Sequence, residues 1–221
     1  MNFKLKNDGI KNDEYCGEPY SCRLPSIWDF LATIRKIGFD DVMLAKADQS
    51  RGYRQIPIDP ADWTNQIFHL PQHGYFLDTR GIFGSRPCST FMQRSNQALA
   101  WSIVNTEVKI DKAQLELSSN KLNATTRAIT TYIDDSLLAI HRAVSSSVWS
   151  NVGQIHRSVN ITMSNTPGHM SPPNRSMLAL GFLVDCDSRT ISIPAGKNLG
   201  AWEHAPRPLF ILQAKIQGIR H

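Results

Sequence analysis

The segment Thr131-Tyr132-Ile133-Asp134-Asp135-Ser136-Leu137-Leu138 places two adjacent carboxylates between two apolar, strand-like stretches. Residues 123–133 lead in and residues 137–140 lead out, so the acids fall where a hairpin turns. Two ionised carboxylates side by side repel, and the pairing is useful around a divalent cation. Mg²⁺ prefers one or two carboxylates plus substrate phosphates to an all-protein cage. A solvated turn also accommodates two acids, and a third acid from another strand separates the two readings. One stands in Leu44-Ala45-Lys46-Ala47-Asp48-Gln49-Ser50-Arg51-Gly52-Tyr53-Arg54, where Asp48 follows the apolar run Val42-Met43-Leu44-Ala45. That is the pattern of a side chain presented at the end of a buried strand. A strand-end carboxylate beside a hairpin carboxylate can hold two cations about 3.5–4 Å apart, one activating an attacking hydroxyl and the other stabilising leaving phosphate oxygens. Taken alone, Asp48 reads first as a turn-capping acid, and Asp135 is either a second hairpin ligand or an acid that supports the ligands from behind.

The elements that must position these acids alternate between helix and strand. Ser26 caps a helix carrying Ile27, Phe30, Leu31, Ile34 and Ile37 on one face, and Gly38 ends it. Strand patterns follow at residues 42–47, 65–70 and 75–78, with His73-Gly74 as a turn. Residues 89–104 read as a helix with Phe91, Leu99 and Trp101 among its apolar residues. After the two strands around Asp134, residues 141–156 read as a helix burying Val144, Val148, Val152 and Ile155. Two further strands, 177–184 and 190–193, meet at Asp187-Ser188-Arg189, and the Ser-, Pro- and Gly-rich residues 165–174 form a loop. Strands covered by helices on one face make an α+β sheet, with the acids on the open face. There is no internal repeat and no interdomain linker.

Five blocks, in this order, resemble the palm of a reverse transcriptase, most closely the type carried by DIRS-like tyrosine-recombinase retrotransposons, a class of transposable element. The first is Asn7-Asp8-Gly9-Ile10 with Tyr15, Leu24-Pro25-Ser26 and residues 27–37. The second is the Asp48 segment, where the family carries its first metal-binding Asp. Tyr53, five residues on, falls where the family places an aromatic that screens the sugar 2′-position of the incoming nucleotide. The third, Gly81-Ile82-Phe83-Gly84-Ser85-Arg86-Pro87-Cys88-Ser89-Thr90-Phe91-Met92-Gln93, resembles the loop and helix that support template and nucleotide. Tyr132-Ile133-Asp134-Asp135 is the fourth. Met177-Leu178-Ala179-Leu180-Gly181-Phe182-Leu183-Val184-Asp185, with Ile191-Ser192-Ile193-Pro194, is the fifth and looks like the hairpin near the primer end. The resemblance covers residues 7–200 and leaves 201–221 as a divergent tail of one reverse transcriptase domain.

The resemblance implies an RNA-directed DNA polymerase: a palm-type antiparallel sheet with helices on one face, partial fingers and a missing or truncated thumb. Two Mg²⁺ ions held by Asp48, Asp134 and Asp135 would serve nucleotidyl transfer from deoxynucleoside triphosphates to a primer 3′-hydroxyl on an RNA or DNA template. Tyr53, Gly84 and Arg86 would meet the nucleotide side, with packing in the core as the plain alternative for Tyr53 and solvent for Arg86 and Arg54. The chain departs from the family's pattern where Ser89 replaces a Pro and Pro87 replaces a small residue. It also begins downstream of the basic residues of the fingers, and Trp202 to Pro208 do not resemble a thumb helix, so a fragment or decayed copy is expected. The alternative function is a noncatalytic remnant that grips nucleic acid or a partner protein. A nucleotide cyclase of the diguanylate-making kind would carry a Gly-Gly-acid-acid-Phe signature, which this sequence lacks.

Composition agrees with this reading. With 221 residues and a net charge of +5, the chain can bury a core and suits a polyanionic partner, although many basic proteins bind none. No apolar run is long enough to span a bilayer and residue 1 opens no secretory leader, so the expectation is no membrane partner and a cytoplasmic or nuclear location. Cys16, Cys22, Cys88 and Cys186 lack paired zinc spacing and read as reduced thiols. His69 and His73 are separated by Pro71, which argues against a shared helical face for a metal.

Overall fold

A computed structural model describes residues 24–119, 122, 126–194 and 213–215. Helix α1 (Ile27–Ile37) starts in a capping box: the Ser26 hydroxyl accepts from the Asp29 amide at 3.4 Å and the Asp29 carboxylate accepts from the Ser26 amide at 2.7 Å. Its buried stripe is Ile27, Phe30, Leu31, Ile34 and Ile37, as the sequence spacing requires. Strand β1 (Val42–Asp48) follows, then the single turn α2 (Gly52–Gln55), a 3₁₀ segment (Pro60–Gln66) and a ribbon of β2 (Ile67–Leu70) and β3 (Gly74–Leu77). Helix α3 (Arg86–Asn105) and the short α4 (Lys112–Glu116) precede the hairpin of β4 (Arg127–Tyr132) and β5 (Asp135–His141). Beyond it come α5 (Ser145–Ser158), β6 (Ser171–Asn174), β7 (Ser176–Ala179), β8 (Phe182–Asp185), β9 (Thr190–Ser192) and β10 (Gln213–Lys215).

The central sheet runs β4-β5-β1-β6 and its pairings are antiparallel. Because successive strand residues point to opposite faces, β1 and β5 divide their apolar residues between two cores. Val42 and Leu44 with Leu137 and Ala139 pack against α1 and against Met177, Ala179 and Val184 of the second sheet, β10-β9-β8-β7. Ala45, Ala47, Leu138 and Ile140 face the other way, onto Ile103 of α3 and Val148 and Val152 of α5. Fully buried Phe30, Leu31, Leu44 and Leu137 contribute roughly 1.5–3 kcal/mol each. Helices α3 and α5 line one face of the sheet, as expected. The opposite face is closed at one end by α1 and the second sheet, and its other end carries the polar continuation of the same alternation: Lys46 and Asp48 on β1, Asp135 on β5.

Several expectations are corrected. Residues 177–184 are not one strand but the β7–β8 hairpin, broken at Leu180-Gly181, whose φ angles of +48° and +90° suit the reversed twist of a tight hairpin. Residues 165–174 are not all loop, since β6 joins the sheet edge beside β1 with a register shift between Leu44 and Lys46. Pro172 and Pro173 fit there because an edge strand tolerates missing amide hydrogens. Strand β5 runs on through His141, and a 3₁₀ turn (Arg142–Val144) precedes α5, in which Ile155 is only partly buried. The β2–β3 turn centres on Pro71-Gln72 rather than His73-Gly74, with the His73 amide donating to the Leu70 carbonyl. On α3 the buried apolar residues are Cys88, Met92, Leu99, Ala100 and Ile103, while Phe91 and Trp101 are 55% and 69% exposed. The Asn7 block, Tyr15, Cys16, Cys22, Asn123 and the segment from Trp202 to Pro208 lie outside the described residues.

Candidate active site

Strand β1 ends at Asp48, and Asp48 is the direct partner of Asp135 across the β1–β5 ladder. The last β4–β5 pair is Tyr132 with Asp135, so Ile133 and Asp134 form a two-residue turn. Asp48, Asp134 and Asp135 therefore gather at one end of the sheet, from a strand terminus and a hairpin tip. The backbone ties these together, because the Gln49 amide donates to the Asp134 carbonyl at 3.3 Å.

The turn is strained and clamped. Ile133 has φ +56°, a region that a β-branched residue enters only when its surroundings impose it, at about 1–3 kcal/mol. Helix α3 imposes it with two buried amides. Gln93 accepts from the Ile133 amide at 2.6 Å and donates to the Thr131 carbonyl at 2.9 Å and the Thr131 hydroxyl at 3.0 Å. Asn96 donates to the carbonyls of Ile133 and Asp135, both at 3.0 Å, and accepts from the Ser136 hydroxyl at 2.8 Å. From the other side α2 presses on the tip. A Cβ at Gly52 would lie 2.7 Å from the Met92 methyl and 3.0 Å from the Asp134 Cβ, so any larger residue would require the Met92 side chain to move and would crowd Asp134.

Tyr53 is 9% exposed and packs with Ile56, Cys88 and Met92, with Ile133 against the cluster. Its hydroxyl shares a hydrogen bond with Ser89 at 3.0 Å, and its ring meets Phe83 edge-on at 5.5 Å. The two residue changes in the third block thus have local uses: Ser89 engages Tyr53, and Pro87 sits in the first turn of α3, where a missing amide hydrogen costs little. Gly84 takes φ +94° just before that helix. Arg86 opens α3, and its side chain lies outside the described residues. Arg54 is held by Asp78 at 2.7 Å, on the protein rather than free for phosphate.

The acids are not bare. His169 Nδ1 lies 2.5 Å from Asp48 Oδ2, and Lys46 Nζ lies 3.0 Å from Asp135 Oδ1. The segment carrying His169 folds over the end of β1, with the Ser164 amide donating to the Asp48 carbonyl at 2.8 Å. Burial, with Asp48's negative charge adding to it, pushes the Asp134 carboxyl above the usual carboxylate range. Burial also raises Asp135; the hydrogen bond and charge of Lys46 pull it back, and Asp48 and Asp134 push it up again, leaving it raised. Among the described residues, no three His, Cys, Asp or Glu side chains stand ready to share one ion. As donors they nonetheless suit a hard divalent cation, because the strand pairing carries three acids to one end of the sheet.

The structure brings together Asp48, Asp134, Asp135 and Tyr53, which the sequence singled out, and sets around them Gln93, Asn96, Gly52, Lys46 and His169, which it did not. One signal for Asn96 was present, because Met92, Asn96, Leu99 and Ile103 form a helical stripe whose other members are apolar.

No protein-family model and no curated protein sequence matches the chain. Solved structures do. A foamy viral protease-reverse transcriptase in complex with dsDNA aligns with 80% of this chain at 12% identity and a TM-score of 0.56, the match covering 30% of that protein. A second structure of the foamy viral protease-reverse transcriptase, also with double-stranded DNA, aligns with 69% of this chain at 14% identity and a TM-score of 0.51, covering 22% of that protein. The chain thus spans less than a third of the length of either. Identities this low speak to fold alone, and the fold is that of an α+β, reverse-transcriptase-like palm.

Proposed function

We propose that this chain is the palm of an RNA-directed DNA polymerase from a retrotransposon of the DIRS-like kind, adding deoxynucleotides to a primer 3′-hydroxyl on a nucleic-acid template. The observation that carries the proposal is the meeting of Asp48 with Asp134 and Asp135 at the end of an antiparallel sheet in a reverse-transcriptase-like fold. In the reaction the 3′-oxygen forms a bond to the α-phosphorus, the bond to the bridging oxygen breaks, pyrophosphate leaves and the hydroxyl proton departs. Asp48, Asp134 and Asp135 would hold two Mg²⁺, which when bound lower the pKa of the attacking hydroxyl and neutralise charge on the leaving group.

The chain's own residues supply position. Gln93 and Asn96 fix the hairpin tip, and hence Asp134, against displacement by the charge it carries. Tyr53, held by Ser89 and Phe83, presents a ring anchored in the core to the sugar of the incoming nucleotide, with Gly84 and Arg86 on the nucleotide side. The test is primer extension on RNA and DNA templates with Mg²⁺ and four deoxynucleotides, beside Asp134→Asn. Extension by the parent is expected, with a loss of at least a hundredfold in the variant; no extension by folded parent protein would overturn the reading.

The ion pairs Asp48–His169 and Asp135–Lys46 favour a second reading, a nucleic-acid-binding palm without transfer activity. It requires Mg²⁺-independent binding of primer–template by a parent that incorporates nothing.

A further inference from the structure

Lys46 lies on β1 two residues before Asp48, opposite Leu137, on the face that carries Asp48 and Asp135. A lysine there is not a solvated surface charge. Its side chain is 17% exposed, and its ammonium rests 3.0 Å from a carboxylate that is itself 22% exposed. Strand geometry fixes the arrangement, because Lys46 and Asp135 are diagonal neighbours across a regular antiparallel ladder, within reach of a long side chain. The same ammonium is close enough for its charge to act on Asp134. A cation arriving at the acids therefore meets a positive charge already attached to the strand. To engage Asp135 it must break a partly buried ion pair and leave the ammonium beside a doubly charged ion.

We propose that Lys46 is a tethered counter-cation of this site, which holds the folded acids together without an ion and keeps the free protein's affinity for divalent cations low. The proposal rests on the reading of Asp48, Asp134 and Asp135 as the cation-binding set. Coulomb repulsion between Lys46 and a divalent ion a few ångströms away acts in a partly desolvated site, where water screens it incompletely.

The experiment is titration of the full chain with Mn²⁺ alone, read as loss of the free-ion electron paramagnetic resonance signal. The proteins are the parent, Lys46→Met, Asp134→Asn and the double variant, each checked for folding by thermal melting. Lys46→Met is expected to bind Mn²⁺ at least tenfold more tightly than the parent, and Asp134→Asn in the same chain to remove the gain. Lys46→Arg, which keeps the charge, is expected to stay within about twofold of the parent. Equal or weaker binding by Lys46→Met, while Asp134→Asn still weakens the parent, overturns the role of Lys46 and leaves the acids as the cation site. Binding that Asp134→Asn changes in neither background overturns both. Should Lys46→Met not fold, the same tenfold gap is expected between Lys46→Gln and Lys46→Arg, and equality of those two overturns the proposal.

Discussion

Ile133 keeps its positive φ because two amide side chains take up the polar groups of the turn, so the clamp should be measurable by removing it. Gln93→Ala leaves the Thr131 carbonyl and the Ile133 amide without their partner in a buried place, and the expected cost is roughly 2–4 kcal/mol by denaturant unfolding. A loss below about 1 kcal/mol would mean that the turn relaxes or takes in water instead. Asp134 gives the opposite sign. Its folded carboxyl titrates above the unfolded one, so this group stabilises the fold only below its unfolded pKa and loses that contribution as pH rises through the folded value. Asp134→Asn should therefore raise the melting temperature at pH 7–8 by roughly 1–3 °C, a small gain because the site is partly wet, and the gain should vanish in acid. The acids themselves could be read in advance because an apolar run ending in Asp, and a hairpin pattern with Asp-Asp at its tip, are local signals. Gln93 and Lys46 could not, since a glutamine within a helix and a lysine in a strand look like solvent-facing positions until the neighbouring strand is in place.

At the scale of elements, the same difference between local and non-local information decides what was legible. Helix α1 carries its whole specification locally, the stripe in its eleven residues and the caps in Ser26 and Gly38 at either end. The β7–β8 hairpin hides because Leu180 takes a positive φ inside an unbroken apolar run, with Gly181 as its sole punctuation. Strand β6 hides because Ser-Pro-Pro-Asn has no strand propensity and is held by β1, more than a hundred residues away in sequence. The β2–β3 turn shows what local chemistry would have preferred. Pro71 suits the first corner, but Gln72 sits at φ +69° in the second, where glycine is favoured. Gln72→Gly should stabilise the protein by roughly 0.5–1 kcal/mol, read as a shift in the urea midpoint with unchanged slope. No change would mean that this ribbon opens before the rest of the molecule and does not report on global stability.

For the molecule as a whole, acid sensitivity should come from beneath α5 rather than from the acid cluster. His156 is 1% exposed, donates through Nδ1 to the Val152 carbonyl at 2.7 Å, and leaves Nε2 buried with no partner among the described residues. Burial holds its pKa below the ordinary imidazole value, so the unfolded chain takes up the proton first. Its contribution is complete above the unfolded value of about 6.5 and is lost as pH falls from there through the folded one. Melting temperature should drop between roughly pH 7 and 5, and His156→Phe should flatten that part of the profile; an unchanged slope would place the sensitivity elsewhere. The two prolines of β6 act at this scale as well. They sit on the outermost strand of a sheet whose interior strands are strongly apolar, and neither has an amide hydrogen to offer an incoming chain. A flat edge with a full row of donors would recruit a strand from another copy as concentration rises. Ser-Pro-Pro-Asn ends the ladder there, so the sheet is disfavoured from growing outward into fibrous aggregates.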